Sequence, residues 1–184
     1  MREALRAQLE RCFRICRDLG SPLTKLAGAS EEEISETEAK TGIRFSADLR
    51  SLYQFSNGGR YEETWFVVMT DQVSPYRFCP LAEVCEVHGW FAESSYDAEW
   101  DNGGEPWDPR IRKYDHHTKR LPFADFGNGS GVVYFDADPS EMGRAGQIIT
   151  YQHDPDAVRF FADDLVDFLA KSNELLEREG PTFL

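Results

Sequence analysis

Cys79, Cys85 and His88 are three ligand-type side chains close together in the chain, and His116-His117 would add nitrogen donors. Thiolates and imidazoles of this kind hold zinc when they come in tight pairs such as Cys-x2-Cys. Here five residues separate the cysteines and two more precede the histidine. That spacing argues for core cysteines and a helix-terminal histidine, so no metal or other cofactor is expected. Asp125-Phe126-Gly127-Asn128-Gly129 offers oxygen ligands, but glycines stand where an EF-hand loop needs its acidic or amide groups. A tight turn between two strands is the better reading. Asp136 and Asp138 would share a strand face as an acid–base pair if the strand continued. Such a pair needs one buried and one solvated carboxylate. Among 33 carboxylates pairs are inevitable, and Asp136 is read as capping the turn after its strand. There is no Gly-x-Ser-x-Gly elbow, and Gly127 to Gly131 lacks a following Lys-Ser/Thr or helix. No catalytic residue is expected, and the chain is read as no enzyme.

Recognition chemistry is better represented. Ala92 to Pro109 holds six carboxylates (Glu93, Asp97, Glu99, Asp101, Glu105, Asp108), no Lys or Arg, and both Trp100 and Trp107. Tryptophan is enriched in interface hot spots, and the carboxylates would pair with arginine or lysine on a partner. The segment, about 92–118, is therefore read as an acidic inserted surface loop. Trp100, Asp101, Glu105, Trp107 and Asp108 are its expected contact residues. The alternative is that both indoles fold back and pin the loop to its own domain. Asn57-Gly58-Gly59 is read as a structural motif serving the chain reversal, with a second rim of the contact surface as the alternative.

The elements that must hold these residues are legible in part. Leu5, Leu9, Cys12, Cys16 and Leu19 share one face of a helix from about Arg2 to Asp18. A second helix starts at Ser30, with Glu33 in capping-box spacing, and stops at Gly42. Ser46 caps a third, short helix, and Pro80 opens another that runs to Val87. Strands are expected over Thr64–Met69, Tyr76–Cys79, Leu121–Asp125, Val132–Asp136 and Gln147–Tyr151. A final helix is expected from about Asp156 to Glu179. Helices, then an antiparallel-looking sheet, then a helix make the fold class α+β.

The chain has 184 residues, 41% of them hydrophobic, which suits a single domain spanning 1–184. No apolar run reaches membrane-spanning length, and charges interrupt the first turns where a signal peptide would be apolar. A cytoplasmic location is expected, with reduced, buried cysteines. The net charge of −13 disfavours nucleic acid and anionic membrane surfaces as partners. It would attract a basic protein, or it serves solubility alone.

These blocks resemble the SUKH superfamily and, within it, the Smi/Knr family, named for a fungal regulator of cell-wall assembly. The resemblance is carried by Ser30-Glu31-Glu32-Glu33-Ile34, Glu38, Gly42, Phe45, Leu49, Leu52-Tyr53 and Asn57-Gly58-Gly59. It continues through Leu81-Ala82-Glu83-Val84, Leu121-Pro122-Phe123-Ala124, Gly131, Phe135-Asp136, Gly146-Gln147-Ile148 and Phe168-Leu169. Ser46 stands where the family often has Pro, and the 92–109 stretch lies outside the common core. The resemblance implies a mixed, mostly antiparallel sheet packed with N-terminal helices and a long C-terminal helix. It also implies a non-enzymatic binding role. Bacterial members look like immunity proteins that neutralise toxin domains, and fungal members look like signalling scaffolds. The leading expectation is an immunity protein whose partner is a cognate, basic toxin domain. The alternative is a regulatory scaffold or adaptor of the cell-wall-assembly-regulator type.

Overall fold

The computed structural model of the chain describes residues 1–93 and 101–182. Three helices come first: α1 (Glu3–Asp18), α2 (Glu31–Thr41) and α3 (Ala47–Phe55). A hairpin of β1 (Phe66–Met69) and β2 (Val73–Phe78) leads into α4 (Leu81–Glu93). Strands β3 (Arg120–Asp125), β4 (Gly131–Asp136), β5 (Gln147–Gln152) and β6 (Ala157–Ala162) follow, then α5 (Leu165–Glu179). The six strands pair in chain order, every pairing antiparallel. The fold is α+β, as the residue pattern indicated.

Local chemistry explains the helix ends. The Ser30 hydroxyl accepts from the Glu33 amide, and the Glu33 carboxylate accepts from the Ser30 amide. Gly42 ends α2 in the left-handed region at φ 67°, where a side chain is strained. Glu38, buried on α2, accepts from the Phe45 amide at 2.7 Å and from Arg50 at 2.8 Å. Burial alone would raise its pKa, but these donors turn the shift downward. Ser30→Ala should cost about 1 kcal/mol of stability, read as a lower midpoint in urea; no loss would mean the cap is redundant.

Asn57-Gly58-Gly59 ties several elements together. The Asn57 side chain accepts from the Leu81 amide and so caps α4 from a distance. The Gly59 amide bonds to Phe78, and a Cβ on Gly59 would sit 2.1 Å from the Trp65 indole nitrogen. The chain reversal thus needs both a polar cap and a bare glycine.

One assignment needs correction. The span from Asp156 reads as the start of the last helix, but Ala157–Ala162 is strand β6, paired with β5 from Ile148↔Ala162 to Gln152↔Ala157. Its neighbouring faces send Phe161 toward the helices and Phe160 to the other side. The helix begins only where Asp164 caps it, accepting from the Val166 and Asp167 amides at 2.9 Å.

The sheet is covered on both faces. On the helical side Phe66, Phe78, Leu121, Phe123, Val133, Phe135 and Ile148 pack with α1, α3 and α5 side chains, including Phe168. On the other side Val132, Tyr134, Ile149, Tyr151 and Val158 form a second cluster with Ile111. The outer strands are each stoppered by one side chain: Ser172 on α5 accepts from the Val67 amide, and Asn102 accepts from the Val158 amide at 2.7 Å. No helix among the described residues is long and apolar enough to cross a membrane.

Candidate protein-interaction site

The described part of the acidic segment, from Asp101, starts beside the edge of β6. Asn102 is buried in the left-handed region at φ 51°, and a Cβ on Gly103 would meet the Asp156 carbonyl at 2.7 Å. Asn-Gly-Gly is therefore a docking turn, with its amide aimed at a strand. From there the chain lies over the second face of the sheet.

Its expected contact residues fall into distinct settings. Trp100 lies outside the described residues, as do Asp97, Glu99 and the side chain of Glu93. Asp101 is exposed. Glu105 holds Arg159 of β6 in a two-point pair at 2.8 and 2.5 Å. Asp108 pairs with Arg110 at 2.9 and 2.7 Å and also accepts from the Arg110 amide. Hydrogen bonding to that guanidinium, which outweighs the cost of partial burial, draws the Asp108 pKa down. Arg110 in turn lies 3.3 Å over the Phe160 ring. Trp107 is half-buried against the Tyr134–Tyr151 cluster. Glu105 and Trp107 thus fasten the segment to the sheet, and Asp108 braces Arg110 over Phe160, while all three keep part of their surface outward.

Beneath the segment lies a polar layer that joins Asp136 and His116 to Arg120, a residue the sequence did not single out. Arg120 of β3 is 2% exposed and donates to the carbonyls of Arg112 at 2.6 Å, Asp115 at 2.8 Å and Tyr114. Its strand neighbour Asp136 is buried, accepts from Gln147 at 2.9 Å and caps the turn through the Asp138 amide. Burial pushes the Asp136 pKa up, against the pull of Arg120. His116 stacks on Phe91 at 3.9 Å and sits 2.6 Å from the Tyr134 hydroxyl. Burial pushes the imidazole down to about 4. Nδ1 of the ring and the Tyr134 hydroxyl share one hydrogen bond. These groups have the look of acid–base machinery, yet their lone pairs and protons are directed at one another and at backbone. The arrangement holds a loop.

The other chemistry-bearing residues are dispersed. Cys12, Cys16 and Cys79 are buried, Cys85 is half-buried, and all four are free thiols. His88 bonds to the Thr118 carbonyl. Among the described residues no three His, Cys, Asp or Glu side chains are grouped to hold a metal ion. Asp125 to Gly129 is a tight turn, with Asp125 accepting from the Gly127 amide and Asn128 from the Ser130 amide.

Among the described residues the exposed aromatics are Tyr61 and Trp90, the latter on α4. The sequence reading ended this helix at Val87, whereas α4 runs on to Glu93, so Trp90 was placed neither on the helix nor at the surface.

A sequence model described as the SMI1 / KNR4 family (SUKH-1) matches residues 28–171. No curated protein matches the chain.

Proposed function

The chain belongs to the SMI1 / KNR4 family (SUKH-1), and on that premise we propose that it is a non-enzymatic protein-binding module of the immunity type, which occludes a basic toxin domain. The family match carries the reading, because domains of this family are generally non-enzymatic immunity or regulatory modules with protein partners. The net charge of −13 supplies the expected sign of the partner, since opposite fields speed encounter and suppress wrong pairings. The proposed compartment is the cytoplasm, which suits four free thiols. In this reading the whole chain, 1–184, serves as one such domain, and the segment about 92–118 is its partner-facing insertion.

The proposed contact runs along Trp100, Asp101, Glu105, Trp107 and Asp108. Asp101 is the carboxylate of choice for a test, because Glu105 and Asp108 also hold the segment in place. Co-purification with the product of the neighbouring gene tests the role. A tight complex is expected, and Asp101→Lys should weaken it about tenfold, the loss of one good charge contact. A strong complex indifferent to Asp101→Lys would remove the segment from the interface. A neighbour that does not bind would favour the regulatory scaffold, whose partner is a host protein or peptide.

A further inference from the structure

We propose that the groove between α4 and the β3–β4 turn is a docking site for an arginine-bearing segment of a basic protein partner. The proposal rests on the protein-binding reading above and gives it a second, separate contact surface. The groove has a volume of about 620 Å³ and is walled by Tyr61 on one side and by Glu83, Glu86 and Trp90 of α4 on the other, with Asp125 and Gly127 at its base.

Its aromatic walls are the first argument. Five large hydrophobic side chains stand exposed among the described residues: Met1, Tyr61, Met69, Trp90 and Met142. The two aromatic ones both line this groove, with Trp90 at 60% and Tyr61 at 67% exposure. Indole and phenol faces at a concave surface take a guanidinium by stacking and cover its alkyl stem.

Charge is the second argument. Arg77 is the cation of the groove, and it is already held by two carboxylates: Asp125 at 2.6 Å and Glu83 at 2.6 Å. Glu86 is exposed and forms no ion pair among the described residues. Asp125, Glu83 and Glu86 against Arg77 leave the groove negative. A carboxylate on a partner would meet repulsion there, and a cation would meet Glu86 and the outward side of Glu83.

The third argument is that the groove is built in advance. Asp125 ties Arg77 to the Gly127 amide. The Tyr61 hydroxyl donates to the Gly127 carbonyl at 3.1 Å, and its ring lies 4.7 Å from the Arg77 guanidinium. A Cβ at Gly127 would meet that hydroxyl at 2.6 Å. A site ordered before binding loses little conformational freedom when occupied.

Two measurements on the full chain test the proposal. First, a blocked Gly-Arg-Gly-Arg-Gly peptide is titrated at low salt and followed by NMR. The Trp90 indole and the Gly127 and Gly129 amides should shift saturably. The shifts should shrink with the lysine version, vanish with the glutamate version, and vanish in Glu86→Lys. Equal shifts from the glutamate peptide, or shifts located elsewhere, would overturn the groove assignment. Second, Trp90→Ala and Glu86→Lys, both at exposed positions, are tested against the neighbouring gene's product. Each should weaken the complex about 30-fold, as removal of a hot spot does. A complex untouched by either variant overturns the groove and leaves the immunity reading standing. Peptide binding in the groove with no complex overturns the immunity reading and leaves the groove standing.

Discussion

Arg120→Met should destabilise the protein by about 3–5 kcal/mol, the scale for removing one partner from a buried charged network. The change removes the guanidinium from three carbonyls, those of Arg112, Tyr114 and Asp115, of which only that of Arg112 keeps a backbone donor, the Tyr114 amide. It also removes the cation that moderates buried Asp136. Methionine fills the space but returns none of these bonds. The melting point should fall by about 10 °C for a chain of this size. Arg120→Lys should fall between the two, because an ammonium lacks the planar fork that reaches several carbonyls. Urea unfolding followed by circular dichroism and by indole fluorescence measures this. A loss under about 1 kcal/mol would mean that the 112–115 segment is held by its other contacts, such as the Arg112–Asp138 pair, without need of Arg120.

The second large effect is a stability that depends on His116 and on pH. In the unfolded chain the imidazole takes up a proton near pH 6.5, its ordinary value, and in the folded chain only near about 4. Between those values the unfolded state binds more protons, so acid favours unfolding. The contribution is whole above pH 6.5 and drains away as the pH falls toward 4, amounting to about 3 kcal/mol over that window. Burial against Phe91 and Tyr151 drives the shift, and Arg120 adds to it, while Asp115 and Asp156 oppose it. His116→Gln keeps a neutral hydrogen-bonding group and should flatten the pH profile relative to the native chain over the same window. Parallel profiles for the two proteins would mean that the ring titrates normally when folded.

What could be read from residues alone follows from how local each feature is. Ser30, Glu33 and Gly42 act within one helix, so their order and spacing announce it. The strands around Val132–Asp136 and Gln147–Tyr151 are apolar runs with turns at either end, and they were placed within a residue. Strand β6 was hidden because Ala157 to Ala162 abuts a helical run without a glycine. The two aspartates at 163 and 164, the true start signal, were read through. The second sheet face was harder still. Val132 and Tyr134 announce themselves as apolar, but nothing local says what covers them. The continuous apolar character of β4 and β5 was the available sign that both faces are buried. Once the 101–119 stretch is laid over that face, Arg120 and His116 become interior groups and Trp107 becomes an anchor as well as a surface. The exposure of Trp90 depends on which face α4 turns to β3, and that is a tertiary fact.

The stoppers on the outermost strands govern how copies of this molecule meet. With Ser172 holding the Val67 amide and Asn102 the Val158 amide, a neighbouring chain finds fewer open backbone groups on which to lengthen the ladder. Polymerisation strand upon strand is discouraged from both sides. Complexes must then be built from side chains, which choose their mates where backbone does not.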